Sequence, residues 1–142
     1  MGNVDVVRGM YESFGRGDVE GVLAVCDPQI EWRQAEGNPL EGQGGSLIGR
    51  DAVMEKVFMR LAQEWDSFIV TPRQFHDAGD SVIVEGRYTG GYKATRRSID
   101  SQFCHVFKVR EGKVTSFQQY MDTAQMQEVM GARLEPQAAG QS

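Results

Sequence analysis

His105 is the residue in this sequence whose surroundings most favour chemistry. It belongs to a series spaced two residues apart, which consists of Phe103, His105, Phe107 and Val109. In a strand this spacing places all four side chains on one face. Because the other three side chains are apolar, we expect this face to point inward and to carry His105 into the interior. A histidine there is suited to proton transfer or to hydrogen bonding with a ligand.

Asp122 is the second candidate, at the end of the next predicted strand. The turn at Glu111-Gly112 folds the chain back, so Asp122 is expected beside the start of the strand that carries His105. Burial in an apolar cavity raises the pKa of a carboxyl group, and a nearby imidazole, when protonated, lowers it. Such a pair is suited to abstracting a proton next to a carbonyl group. The simpler alternative is that Asp122 caps the helix beginning at Thr123 and that His105 is a hydrogen-bonded core residue.

Further side chains complete a candidate substrate-binding pocket. The hydroxyl groups of Tyr11, Tyr88 and Tyr120 can donate hydrogen bonds to an enolate oxygen if they face inward. Large apolar side chains suit the walls of a hydrophobic ligand site, and they equally build ordinary cores. The members of this set are Phe14, Trp32, Phe58, Trp65 and Phe103.

The elements that must position these residues follow from the hydrophobic period. Apolar residues recur at helical steps from Val4 to Phe14 and again from Asp51 to Trp65, which predicts two helices. Asp18 is placed to cap a short helix between them, and Asp27-Pro28 ends that helix. A short strand follows at 30–33, and the glycine-rich stretch from 37 to 49 predicts an irregular loop that we interpret as a candidate lid.

Beyond residue 67 the period changes to two, which predicts an antiparallel meander of four strands. These are Phe68 to Asp77, Ser81 to Gly90, Ser98 to Arg110 and Lys113 to Asp122. A last helix is predicted from Thr123 to Met130, and the composition of 135–142 predicts a flexible tail. Helices on one face of a curved sheet make an α+β fold with an internal cavity, and the length favours a single domain over 1–134.

Several short motifs occur in an order typical of one family. Tyr11-Glu12-Ser13-Phe14 precedes Gly17-Asp18, and Gly49-Arg50-Asp51 opens a helix. The second half carries the stretches from His105 to Val114 and from Tyr120 to Ala124. In this order and spacing the chain resembles the SnoaL-like branch of the NTF2-like superfamily over about residues 4 to 130. The resemblance implies a cone of curved, mixed sheet wrapped around three helices, a mostly apolar pocket, and a homodimer.

The resemblance also implies roles. In SnoaL-like cyclases an aspartate at the end of this strand is the general acid/base and a histidine on the neighbouring strand lines the same site, which points to Asp122 and His105. Trp32 stands where ketosteroid isomerases carry their base aspartate, which argues against steroid isomerisation. Epoxide hydrolysis of the limonene type needs an Asp-Arg-Asp set, which Asp122, Arg87 and Glu85 supply only in part. The alternation along their strand favours a solvated or dimer-facing side for Arg87 and Glu85.

Composition excludes several classes of protein. The chain has 142 residues, 40% of them hydrophobic, and a formal charge of −5 without a basic cluster, which argues against a nucleic-acid partner. No apolar run approaches the roughly 20 residues that span a bilayer, and the first residues lack a signal-peptide pattern, so we expect a cytoplasmic protein without a membrane partner. Cys26, Cys104 and His76 have no companions at metal-ligand spacing, so no metal site is predicted. No cofactor is expected either, because proton transfer by side chains needs none.

Two classes of function remain open, because one fold serves many activities. The first is a cofactor-independent cyclase or isomerase that acts on a small hydrophobic carbonyl compound through Asp122 and His105. The second is a non-catalytic, dimeric ligand-binding or accessory module. An epoxide hydrolase-like or dehydratase-like enzyme is a further alternative.

Overall fold

The structure is a computed structural model that describes residues 2–40 and 45–131. Two helices, α1 (Asn3–Gly15) and α2 (Val19–Ala24), precede the strands β1 (Cys26–Arg33) and β2 (Ser46–Ile48). A longer helical stretch follows, composed of α3 (Arg50–Val53), a π-helical turn (Met54–Phe58) and α4 (Met59–Glu64). The chain continues with β3 (Trp65–Ala78), β4 (Ser81–Tyr92), β5 (Ser98–Arg110), β6 (Lys113–Met121) and α5 (Thr123–Met130).

The strands form one curved, six-stranded sheet in the order β2-β1-β6-β5-β4-β3. The last four strands make the predicted antiparallel meander, while β1 pairs with β6 in parallel. The parallel pair arises because the helices between β1 and the meander carry the chain from one edge of the sheet to the other before β6 returns to β1. The prediction of an α+β fold with a curved mixed sheet is therefore confirmed.

Local sequence signals account for the helix boundaries. The Asp18 carboxylate accepts a hydrogen bond from the Gly21 backbone N–H at 2.9 Å and caps α2, as its position predicted. The predicted third helix forms between Arg50 and Glu64, but one turn of it is π-helical. Periodicity did not predict this turn, because an inserted residue shifts the apolar face without breaking the helix.

The segment from 37 to 49 was predicted to be an irregular loop, and the part that the structure describes corrects this. Ser46–Ile48 forms β2, which pairs antiparallel with β1 through Trp32 and Leu47. Gly49 follows with φ of 95°, a conformation that glycine adopts without a steric penalty, and leads into α3. The remaining loop positions 41–44 and the predicted tail at 135–142 lie outside the described residues.

The main core lies between the inner face of the sheet and the helices. It includes Val7 of α1, Val22 of α2 and Val57 of the π-helical turn, which pack against β4 and β5 residues such as Val84 and Phe107. A smaller cluster around Trp65, Ile99 and Met126 anchors α5. Within the described ranges, no helix has the length and hydropathy needed to cross a membrane.

Candidate functional site

His105 lies at the centre of the inner face of the sheet. It is 4% exposed and pairs with Val84 on β4 and with Gln119 on β6. Phe103, also buried, stacks on its ring with centroids 4.0 Å apart. The prediction that the alternating apolar residues carry His105 inward is confirmed.

Both ring nitrogens of His105 contact a tyrosine hydroxyl. The Tyr11 hydroxyl of α1 lies 2.6 Å from Nδ1, and the Tyr88 hydroxyl of β4 lies 2.5 Å from Nε2. Gln119 Nε2 donates to the Tyr88 oxygen at 2.8 Å. These four side chains, Tyr11, His105, Tyr88 and Gln119, form one hydrogen-bonded series that we call the polar chain.

The far end of the polar chain is attached to the backbone. The Gln119 Oε1 atom accepts hydrogen bonds from the Ala35 backbone N–H at 3.1 Å and from Asn38 Nδ2 at 2.8 Å. The Asn38 Oδ1 atom in turn accepts from the Leu40 backbone N–H at 2.9 Å. Gln119 and Asn38 are buried, at 5% and 3% exposed. The residues that follow β1 therefore supply two hydrogen-bond donors, the Ala35 N–H and Asn38 Nδ2, to the buried Gln119 oxygen.

Burial keeps every titratable member of the polar chain uncharged near neutral pH. Desolvation lowers the pKa of His105 from 6.5 to about 3, because burial disfavours the charged imidazolium form. Desolvation also raises the pKa of Tyr11 well above its ordinary value, and the pKa of Tyr88 is raised for the same reason. The polar chain is therefore a set of neutral hydrogen-bonding groups.

A cavity of about 80 Å³ adjoins the polar chain. Its described walls contain no Asp, Glu, Lys or Arg, and they are mainly aromatic and aliphatic. Besides Tyr11, Tyr88, His105 and Gln119, the described lining consists of Met10, Phe14, Val22, Trp32, Gln34, Leu40, Val57, Phe58, Leu61, Phe68, Val70, Phe107, Phe117 and Met126. A cavity with these walls favours a small, uncharged and largely apolar occupant.

Asp122 does not share this cavity, contrary to the expectation from the hairpin. Its side chain is exposed and its Oδ1 atom accepts from the Gln125 backbone N–H at 3.1 Å, which makes it the N-cap of α5. The alternative interpretation of Asp122 as a helix cap is the one that the geometry bears out. Tyr120 also faces outward and is 56% exposed, so its hydroxyl does not reach the cavity.

One β-bulge explains both outward positions. Near the turn, Val109 pairs with Val114, but further along Lys108 pairs with Ser116, so β6 contains one extra residue between them. The extra residue reverses which side chains of β6 face inward, because successive side chains alternate. The inner face therefore carries Phe117 and Gln119.

The sequence matches a known family. A family model for the SnoaL-like domain matches residues 7–117. This chain belongs to the SnoaL-like family. A comparison with curated proteins gave no match.

Solved structures agree with this assignment. An NTF2-like protein from Burkholderia thailandensis is 35% identical, with a TM-score of 0.84 over 89% of this chain and 95% of the other. TerC, in a structure co-crystallised with polyporic acid, is 26% identical, with a TM-score of 0.80 over 91% and 98% of the two chains. A protein with a ketosteroid isomerase-like fold from Catenulispora acidiphila, in complex with trimethylamine, is 16% identical, with a TM-score of 0.73 over 90% and 93%, and shows the same fold.

The other predicted pocket residues of this SnoaL-like domain fall into two groups. Phe14, Trp32 and Phe58 line the cavity, and Trp32 stacks on Phe117 with ring centroids 3.9 Å apart. Phe103 lies behind His105 rather than on the described cavity wall, and Trp65 belongs to the smaller cluster beside α5. The first group therefore faces the cavity, while the second supports the wall and the core.

Arg87, Glu85 and Asp122, the three residues compared above with the Asp-Arg-Asp set of limonene-type epoxide hydrolases, lie on the outer side of the sheet. Arg87 forms an ion pair with Asp100, with Nε and Oδ1 2.6 Å apart, and Glu85 contacts His76 on the same face. These side chains and Asp122 line an open groove that is separate from the apolar cavity. The prediction that Glu85 and Arg87 face away from the core is confirmed. Among the described residues, no three His, Cys, Asp or Glu side chains are grouped as metal ligands would be.

Sequence reasoning missed the amides of the site. Gln119, Asn38 and Gln34 are all buried, and Gln34 accepts a hydrogen bond from Trp32 Nε1 at 3.2 Å. One signal for Gln119 was available in the sequence: Val114 and Phe117 are three positions apart, which breaks the two-residue period and indicates a bulge before Gln119. Asn38 and Gln34 lie in or beside a loop, where periodicity carries no information about burial.

Proposed function

We propose that this SnoaL-like domain binds a small, uncharged, hydrophobic carbonyl compound in the cavity beside the polar chain. The observation that carries the proposal is the combination of apolar walls with one neutral series of hydrogen-bonding side chains. An apolar cavity of this kind stabilises a ligand by removing it from water, and the few polar groups orient it. The co-crystallisation of the structurally similar TerC with polyporic acid supports a small-molecule ligand for this chain.

The size of the cavity limits the first ligands to be tested. A volume of about 80 Å³ corresponds to roughly six water-sized positions, which suits a single small ring in the present conformation. Larger compounds require the flexible side chains of Met10, Leu61 or Met126 to move. Cyclopentanone and cyclohexanone are therefore suitable first probes.

A titration followed by ligand-observed NMR tests the proposal. We expect saturable binding of cyclohexanone, and we expect it to weaken by at least about tenfold in Leu61→Phe, because the larger ring fills the cavity. The matched control is Met59→Phe in the same helix, where the side chain is 43% exposed and does not line the cavity. Binding that is equally strong in both variants would place the ligand elsewhere on the protein.

Catalysis as a cyclase or isomerase is the second candidate, and the contact between Tyr11 and His105 at 2.6 Å favours it. A tyrosine hydroxyl beside an apolar cavity stabilises negative charge that develops on a carbonyl oxygen. His105, with its pKa near 3, contributes hydrogen bonding rather than proton abstraction at neutral pH. Asp122 takes no part in this version, because it caps α5 on the outer face.

Deuterium exchange separates the enzyme from the non-catalytic binding module. In D2O, a solvent base removes a hydrogen next to the carbonyl of bound cyclohexanone and D2O returns a deuteron. An enzyme that stabilises the intervening enolate through the Tyr11 hydroxyl exchanges these hydrogens faster than buffer does, and Tyr11→Phe lowers that rate. Binding without any protein-dependent exchange identifies the non-catalytic module. Asp122→Asn serves as the control, since it retains a capping oxygen and leaves the cavity unchanged.

Homodimerisation through the outer face of the sheet is the remaining part of the proposal. Ile69 and Tyr120 are 55% and 56% exposed and belong to β3 and β6. The resemblance to NTF2-like proteins, which implies pairing through the sheet, carries this part, and the two exposed side chains are the large apolar groups that such an interface would cover. Analytical ultracentrifugation of the wild type and of Tyr120→Glu tests this, with a monomeric wild type as the contradicting result.

A further inference from the structure

The hydrogen bonds of the polar chain have a direction, which begins at two backbone N–H groups. A backbone N–H only donates, so the Ala35 N–H requires that Gln119 presents its Oε1 atom on that side. The Leu40 N–H likewise requires that Asn38 presents its Oδ1 atom to Leu40 and therefore its Nδ2 atom to Gln119. Both constraints give the same orientation of the Gln119 amide, with Nε2 facing Tyr88.

That orientation determines what the Tyr88 hydroxyl does. Its oxygen accepts from Gln119 Nε2 at 2.8 Å, and its other polar neighbour is His105 Nε2 at 2.5 Å. Neutral His105 has one lone pair and accepts from only one of its two tyrosine neighbours. Tyr88 is 3% exposed whereas Tyr11 is half-buried, so a hydroxyl hydrogen without an acceptor costs more at Tyr88. The Tyr88 hydroxyl therefore donates to His105 Nε2, which must carry a lone pair.

The position of the His105 proton follows. A neutral imidazole has one N–H group, so with a lone pair on Nε2 the hydrogen is on Nδ1. The Nδ1–H group then donates to the Tyr11 oxygen at 2.6 Å. The hydroxyl hydrogen of Tyr11 is not used in this contact, and among the described residues Tyr11 has no other hydrogen-bond partner.

We infer that the Tyr11 hydroxyl donates the hydrogen bond that determines which ligands bind in the cavity. Gln119 is a positioning residue, because the orientation of its amide sets the direction of the hydrogen bonds through Tyr88 and His105 to Tyr11. The ligand then carries a hydrogen-bond acceptor, of which a ketone or aldehyde oxygen is the simplest uncharged case, rather than a donor group alone. This inference rests on the proposed function, because it assigns the polar contact made by the compound in the cavity. The same geometry with the His105 hydrogen on Nε2 would present a Tyr11 lone pair and select the opposite class of ligand.

The tautomer is measurable without any ligand. In uniformly 15N-labelled wild-type protein, long-range 15N–1H correlation spectra distinguish the protonated ring nitrogen from the unprotonated one. We expect His105 to show hydrogen on Nδ1, whereas His76, whose Nε2 lies 2.6 Å from a Glu85 carboxylate oxygen, is an internal reference for a ring with hydrogen on Nε2. Hydrogen on Nε2 of His105 would overturn the inference and leave the proposed binding function intact.

Three probes of one ring size test the ligand class. Cyclopentanone accepts a hydrogen bond, methylenecyclopentane has no polar group, and pyrrole donates through its N–H. We expect wild-type protein to bind cyclopentanone about three- to tenfold more tightly than methylenecyclopentane, and pyrrole more weakly than the ketone. A preference for pyrrole would refute the assignment of Tyr11 as the donor.

Two phenylalanine variants assign the preference to a single hydroxyl. Tyr11→Phe should bring the affinity ratio of cyclopentanone to methylenecyclopentane close to one, while Tyr120→Phe, which changes an exposed tyrosine in the same way, should keep the wild-type ratio. An unchanged ratio in Tyr11→Phe overturns the inference even though ligands bind. Failure of all three probes to bind the wild type overturns the proposed function, and with it the ligand class. The His105 tautomer is measured on ligand-free protein, so its result does not depend on whether the probes bind.

Discussion

Replacing Tyr88 with phenylalanine removes one oxygen atom and leaves the shape of the side chain almost unchanged. In the wild type this oxygen accepts from Gln119 Nε2 and donates to His105 Nε2, and all three residues are buried. The substitution leaves one donor and one acceptor without partners. Each such group costs about 1–3 kcal/mol when it is buried. We therefore expect Tyr88→Phe to lower the free energy of unfolding by about 2–6 kcal/mol, a large part of the stability of a domain of this size.

Two other tyrosines make this a graded series. Tyr11→Phe leaves only the His105 Nδ1–H group without its partner, so we expect a smaller loss of about 1–3 kcal/mol. Tyr120→Phe changes an exposed side chain and should alter the free energy of unfolding by less than about 0.5 kcal/mol. The order Tyr88, then Tyr11, then Tyr120 follows from the number of buried groups that each substitution leaves unpaired.

Guanidinium denaturation followed by far-UV circular dichroism measures the series. All variants should be compared at one protein concentration, since association would shift the apparent stability. The m-value should stay constant, because the surface exposed on unfolding hardly changes. If Tyr88→Phe and Tyr120→Phe unfold at the same denaturant concentration, the buried hydrogen bonds of Tyr88 do not stabilise the fold.

Three further substitutions and one pH titration test other parts of the structure. Asp122→Ala should lower the free energy of unfolding by about 1 kcal/mol through loss of the α5 cap, with ligand affinity unchanged in the same NMR titration. Gly86→Ala should destabilise by about 1–3 kcal/mol in denaturation, since an added Cβ atom would lie 2.4 Å from the Phe103 ring, whereas Gly91→Ala has open space and should cost less. The stability that His105 contributes by staying neutral is complete above its unfolded pKa of 6.5 and is lost as pH falls toward about 3. Between pH 6.5 and about 5 this amounts to about 2 kcal/mol of unfolding free energy, and a His105→Gln variant that keeps the same pH slope would contradict it.

Local patterns in the sequence determined the elements of this fold. Each of the four meander strands was predicted within about three residues of its observed bounds, because Val, Phe and Tyr at alternate positions between glycine turns specify half-buried strands. Asp18 identified the start of α2, and the two-residue period placed His105 on the inner face. These features depend on residues close together in the chain, which is why they can be read directly from it.

The composition of the site depended on contacts between distant residues. Tyr11 reaches His105 across 94 positions of sequence, and Gln119 reaches Ala35 across 84. Whether a buried tyrosine or amide finds such a partner depends on how the helices sit against the curved sheet. Secondary-structure patterns contain no information about that placement.

The position of Asp122 was decided by a single extra residue in β6. With the pairing that the turn at 111–112 begins, the even-numbered residues at the end of β6, Tyr120 and Asp122, would face the cavity with His105. The bulge between Val114 and Ser116 shifts the register by one, so Gln119 faces His105 and the carboxylate of Asp122 caps α5 instead. Sequence alone determined that a histidine enters an apolar interior. The tertiary structure decided that its partners there are neutral hydroxyl and amide groups, because a one-residue shift in a strand exchanges its two faces.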